Sequence, residues 1–152
     1  MADTMKNDVQ QRINEYHALG IPCFERTGLI MTTLTGREGS LQFICLHETY
    51  AVAIDFEMAS RKMTVPIMVH EGSPWRTYLV TADLNIDECM KRETSARVTF
   101  MPPGSTLALP TPGRTRARWI RTPDTITRPQ MSAVLDVIAD RFRVVVMGAE
   151  DA

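Results

Sequence analysis

Between Ile21 and Leu84 the chain is a succession of short runs rich in Val, Ile, Thr and aromatic residues, cut by Gly36, Gly39, Gly72 and Pro74. This texture constrains the fold more than any other feature. Connections of a few residues leave no room for crossover helices, so strands joined this way are expected to pair antiparallel as a meander. Strands are expected near Gly28 to Leu34, Leu41 to Leu46, Tyr50 to Glu57, Met63 to Val69 and Arg76 to Ala82. Pro66 marks its strand as an edge or a bulged strand, because proline cannot donate to a ladder. Arg97 to Met101 reads as a further strand with Val98 and Phe100 on one face, and the polar stretch Ile86 to Thr94 before it as weakly helical.

Helical periodicity flanks the meander. Met5, Val9, Ile13, Tyr16 and Leu19 recur at spacings of three and four, with Gly20 and Pro22 as a stop signal. Met131, Val134, Leu135, Ile138 and Phe142 form a second stripe, with Thr127 as the expected N-cap and Pro129 in the first turn. Val144 to Met147 reads as a last short strand. Between Pro102 and Pro129 lie six of the nine prolines, the composition of a loop or extended arm. The expected fold class is therefore α+β: an N-terminal helix, an antiparallel β-meander of five to seven strands, a Pro/Arg-rich arm over 102–129, a C-terminal helix and a short final strand. A single domain over 1–152 is expected, because two halves would each fall close to the lower limit for an independent core.

Cys23, Cys45 and Cys89 are an odd, widely spaced set with no C-x-x-C pair, as expected of a reducing cytosol. No apolar signal-peptide core can be drawn near Met1 to Gln11, and runs such as Ala51 to Ile54 fall far short of the roughly 20 residues that span a bilayer. A cytoplasmic protein without a membrane partner is expected.

The net charge of −1 conceals a strong partition. Residues 91 to 128 hold eight basic and two acidic side chains, net +6, against −5 before them and −2 after. Between Glu93 and Asp124 there is no acid, and every cation there, Arg97, Arg114, Arg116, Arg118 and Arg121, is arginine. The planar guanidinium fork suits phosphate better than solvation requires. In an extended chain Arg114, Arg116 and Arg118 would share a face as a ladder. Such a row can also sit in water along an exposed edge and discourage aggregation there. Trp119 lies inside the cluster, either as a stacking ring or as the anchor that pins the arm to the body, and Trp75 lies beside Arg76 and close to Tyr78.

Residue patterns for catalysis are sparse. His47-Glu48-Thr49 fits the H-x-[ST] half-motif of two-histidine phosphoesterases, but Gly72 breaks the second copy at His70-Glu71. Adjacent strand residues point to opposite faces, so each dipeptide offers a metal only one ligand. Asp55 and Glu57 would share a strand face and suit a hard divalent cation, although Ala59 stands where a nuclease strand carries its lysine. No nucleophile elbow, phosphate-cradling loop or dinucleotide fingerprint occurs, and no cofactor or metal is expected.

Arginines interleaved with aromatics are what a single-stranded nucleic acid needs, since cations track the backbone while rings stack on bases. The expected function is a small non-enzymatic nucleic-acid-binding protein, with single-stranded DNA favoured over RNA. Its contact residues would be Arg114, Arg116, Arg118, Trp119, Arg121, Arg97, Lys91, Arg92, Trp75, Arg76 and Tyr78. A homo-oligomer is expected, because multiplying short arms raises their effective concentration. The alternative is a protein-interaction module, an inhibitor or adaptor whose arm docks an acidic partner, and the third reading is a metal-dependent nuclease. The compact size and lack of standard motifs are compatible with a phage or mobile-element accessory protein.

Overall fold

The computed structural model describes residues 2–84 and 98–150, with side chains described over 4–84 and 98–142. The elements follow in the order α1 (Ala2–Ala18), β1 (Phe24–Arg26), β2 (Leu29–Thr33), β3 (Leu41–His47), α2 (Glu48–Ser60), β4 (Ile67–His70), β5 (Trp75–Thr81), β6 (Val98–Phe100), β7 (Thr106–Ala108), β8 (Ala117–Arg121) and α3 (Met131–Glu150). Five strands in the order β6-β3-β5-β4-β8 form the larger sheet, and β1-β2-β7 form the smaller. All neighbours within the sheets pair antiparallel, as an α+β chain of this texture should.

Strand alternation divides the larger sheet between two cores. Ile44, Leu46, Ile67, Tyr78 and Val80 face one way and pack with Ala51, Ile54 and Met58 of α2 and Met131, Val134, Leu135 and Ile138 of α3. Phe43, Met68 and Leu79 face the other way and pack with Val9, Ile13 and Tyr16 of α1 and with Ile30 of the smaller sheet.

The region expected as a strand at Tyr50 to Glu57 is helix α2. Ala51, Ile54 and Met58 are buried at spacings of three and four, the helical period. His47 caps the helix: its Nδ1 accepts from the Thr49 N–H at 3.2 Å, and Glu48 adds an acidic side chain to the first turn. Helix α2 is thus a crossover, so β3 and β4 run in the same direction with β5 inserted between them, and the simple meander is broken there. Pro66 directly precedes β4 and its carbonyl still accepts from the Leu79 N–H. β4 is an inner strand, so the expected edge is not found. The register against β8 shifts where Ile67 faces Arg121 and Met68 faces Trp119, which puts the extra residue, Ile120, on β8 and not on the strand that follows Pro66.

Two further expectations change. The backbone is helical through Glu150, so Val144 to Met147 belongs to α3 rather than to a final strand. That helix starts at Met131 rather than after Thr127, and its first turn is capped from across the fold: Asp83 accepts from the Ser132 N–H at 2.9 Å and from the Ser132 hydroxyl. The segment 102–129, expected as an arm, contributes β7 to one sheet and β8 to the other. Its prolines lie outside both strands, so they punctuate the segment without removing ladder donors. Between the strands, the Thr111 hydroxyl accepts from the Ile30 N–H at 2.9 Å, which continues the contact with β2 past Pro110.

Trp119 fastens β8 to the body. Its ring meets Tyr16 edge-on, with centroids 6.2 Å apart, and its Nε1 donates to the Tyr16 hydroxyl at 3.3 Å. That hydroxyl in turn donates to the Pro110 carbonyl at 2.5 Å. Of the two roles open to this ring, anchoring is the one its contacts describe. Trp119→Ala is expected to lower the stability read from urea unfolding toward the lower end of the range of about 3 to 5 kcal/mol typical of a truncated core aromatic, since the ring is half-buried.

Candidate nucleic-acid interface

The predicted arginine ladder splits. Strand β8 begins only at Ala117, and the chain before it turns through Gly113 at φ 75°, so regular alternation does not extend back to Arg114. Arg114, Arg116 and Arg118 are all exposed, but they attend different surfaces. Arg118 pairs with Val69, Val69 with Arg76, and Arg76 with Leu46, which places Arg118 and Arg76 in one row on the α2 side of the larger sheet. With Glu48, His70 and Glu71 they line a cavity of about 440 Å³. Arg116 turns to the opposite side, where it lines a cavity of about 250 Å³ with Arg26, Leu29, His70 and Leu107. Arg114 lies over the β1–β2 turn, with Nη2 2.6 Å from where a Cβ on Gly28 would stand. Thr27 and Gly28 both have positive φ, 51° and 79°, the requirement of a tight two-residue hairpin turn, and glycine at 28 also leaves room for the guanidinium.

Trp75 and Trp119 share a face of the larger sheet but meet different fates. The row Thr99, Cys45, Thr77, Met68 and Trp119 crosses all five strands on that face. Its Trp119 end packs against the core beneath α1, while at the other end Thr99 is exposed and Cys45 half-buried. Beside the open end stands Trp75, half-buried, its ring edge-on to His47 with centroids 5.5 Å apart. Trp75, Cys45, Thr99, Met101, Leu107 and His70 line a groove of about 360 Å³. His70 and Leu107 line both this groove and the Arg116 cavity, so the two adjoin at these side chains. The imidazole is held there by a hydrogen bond of 2.9 Å between Nε2 and the Ala108 carbonyl.

Arg76 and Tyr78 are committed elsewhere. Asp55, from α2, accepts from the Tyr78 hydroxyl at 2.7 Å and pairs with Arg76 at 3.3 Å. Tyr78 is wholly buried and presents no ring to solvent. Arg121, half-buried on the same face as Tyr78, donates to the Val65 carbonyl at 3.5 Å. Asp55 and Glu57 do not form the shared acidic face expected of a strand. On a helix, residues two apart diverge, and Glu57 instead pairs with Arg61 at 3.2 Å. Among the described residues no group of three His, Cys, Asp or Glu could hold a metal ion, and no helix is long and apolar enough to cross a membrane. Lys91, Arg92 and Arg97 lie outside the described residues.

The groove also draws in residues that sequence reasoning passed over. Arg26 belongs to the acidic first part of the chain, and only the pairing of β2 with β7 sets its hairpin beside the basic segment. His70 is a lining side chain, and the His47-Glu-Thr49 pattern is a helix cap.

Burial, and then the Asp55 carboxylate beside it, hold the Tyr78 phenol above its ordinary value of 10.0. The folded state therefore keeps a proton that the unfolded chain sheds as pH rises through 10, so this contribution is complete below pH 10 and is lost above it. In urea unfolding, the parent midpoint should fall between pH 9.5 and pH 11 (roughly bracketing the free phenol,). Tyr78→Phe should fall less steeply, with a residual slope because Tyr16 is raised by burial as well. At neutral pH the same substitution should cost about 1.5 to 3 kcal/mol, the usual worth of a hydrogen bond to a charged group.

Compared with protein-family models, with curated proteins and with solved structures, the chain finds no match.

Proposed function

We propose that this is a small, non-enzymatic, cytoplasmic protein that binds single-stranded nucleic acid, DNA in the first place, along the groove from Trp75 to Arg116. The observation that carries the reading is adjacency: the groove that holds the half-buried Trp75 indole and the cavity lined by Arg26 and Arg116 share His70 and Leu107, with Arg114 over the neighbouring β1–β2 turn. A base stacks on Trp75 while phosphates follow the arginines, the division of labour that single-strand grooves use. Arg118 lies across the edge strand and continues the cationic surface toward Arg76. The path favours single strands, since bases must be free to reach a ring set in a groove, and no basic helix among the described residues is suited to a duplex major groove.

Fluorescence anisotropy with a labelled single-stranded oligonucleotide tests the reading at two salt concentrations. Affinity should fall as salt rises. Trp75→Ala should cost roughly 1 to 3 kcal/mol of binding, the worth of one stacked base. Arg26→Ala and Arg116→Ala should each lower the salt slope by about 1, as expected when one phosphate contact is lost. Absence of binding at low salt, a flat salt slope, or equal affinity for duplex would overturn it. Loss on the arginine changes alone, with Trp75→Ala neutral, would point instead to an acidic protein partner.

A further inference from the structure

Helix α2 carries two apolar stripes, and only one is used by the fold. Ala51, Ile54 and Met58 face the core, whereas Val52 and Phe56 are 72% and 75% exposed. Ala59 is exposed as well and extends the stripe. Thr49, exposed with its hydroxyl 2.8 Å from the His47 Nδ1, continues the same row as a polar position at the N-terminal end. Positions 49, 52, 56 and 59 follow the three-four-three spacing by which two helices interlock along a seam. Single exposed apolar side chains are ordinary on a protein surface, but a contiguous stripe along one helix is an association surface.

The charges at the two ends of the stripe select its occupant. Glu48 stands at the N-terminal end and Lys62 just past the C-terminal end, both exposed, and among the described residues neither forms an ion pair. Arg61, by contrast, is already paired with Glu57 and Asp140. A surface acidic at one end, basic at the other and apolar between is complementary to itself turned end for end. Antiparallel packing also opposes the two helix dipoles favourably.

We propose that the protein forms a two-fold homodimer through antiparallel packing of its α2 stripes. Val52 seats between Phe56 and Ala59 of the second copy, and each Glu48 faces Lys62 of the second copy. Such an isologous contact needs only one self-complementary patch. At 13 residues the helix is about 20 Å long, so the seam is short and the dimer is concentration-dependent.

Sedimentation velocity over a concentration series, without oligonucleotide, tests this separately from nucleic-acid binding. The parent should shift from the 17.1 kDa monomer toward twice that mass. Phe56→Glu should stay monomeric at every concentration with unchanged circular dichroism, because its side chain already lies in water; Val52→Lys is the second variant should Phe56→Glu fold poorly. Glu48→Lys should weaken association about tenfold, as two repulsive pairs replace two attractive ones, and adding Lys62→Glu to the same chain should restore it. A parent that is monomeric throughout overturns the proposal. So does a dimer that survives both seam variants, or one indifferent to the charge reversals.

Discussion

Asp55 holds the rest of the molecule in its arrangement. Its carboxylate reaches from α2 to two neighbouring rows of the central strand β5, accepting from Tyr78 and pairing with Arg76. This fixes the rotation of α2 about its own axis. With Asp55 turned toward the sheet, Ala51, Ile54 and Met58 enter the core, while Val52 and Phe56 are left outside. The contact is half-buried, where charge-assisted hydrogen bonds are stronger than at an open surface, and truncating one partner leaves the others short of theirs. It also buries the Tyr78 ring away from solvent and offsets the charge of Arg76, which still lines the cavity it shares with Arg118.

The strand runs from Leu41, Ile67 and Trp75, which feed cores on both faces of the sheet, were legible as short runs of Val, Ile, Thr and aromatic residues bounded by Gly and Pro. The stripes of α1 and α3 were legible because each buries one face and exposes the other at the helical period. Helix α2 was illegible for the opposite reason. In Tyr50-Ala-Val-Ala-Ile54 apolar residues occupy both faces, so no helical amphipathicity survives, and the Val and Ile content suggests a strand. The misreading and the exposed stripe have one origin: a helix that is apolar on its solvent side looks non-helical in sequence. Val144 to Met147 misled through propensity alone. Extending an existing helix costs little per residue, and the preference of valine for strands amounts to a fraction of a kcal/mol (~0.5,).

The basic segment was visible as composition but not as geometry. Counting charges located it between residues 91 and 128, and the proline density suggested a free arm. Instead both of its strands are paired, and β8 becomes the sheet edge. The arginines separate because Arg116 stands before the strand begins at Ala117, outside its alternation: Arg116 joins Arg26, and Arg118 joins Arg76. Arginines along that edge also discourage a further strand from adding to it. The partnership of Arg26 with Arg116 could not be read from spacing, since it depends on β2 pairing with β7 across about half the chain.

The two proposals meet at Glu48. In a single copy, its carboxylate lines the same cavity as Arg76 and Arg118 and offsets part of their charge. In the antiparallel dimer, Lys62 of the second copy competes for it. Drawing Glu48 toward the seam leaves Arg118 with less neutralising charge beside it and so favours an incoming phosphate. The linkage is reciprocal: whatever binding gains from dimerisation, dimerisation gains from binding. Its size is bounded by one exposed ion pair exchanged for another, about 1 kcal/mol or less. Association through α2 would therefore tune the cationic edge rather than switch it, and most of any avidity would come from joining two grooves in one particle.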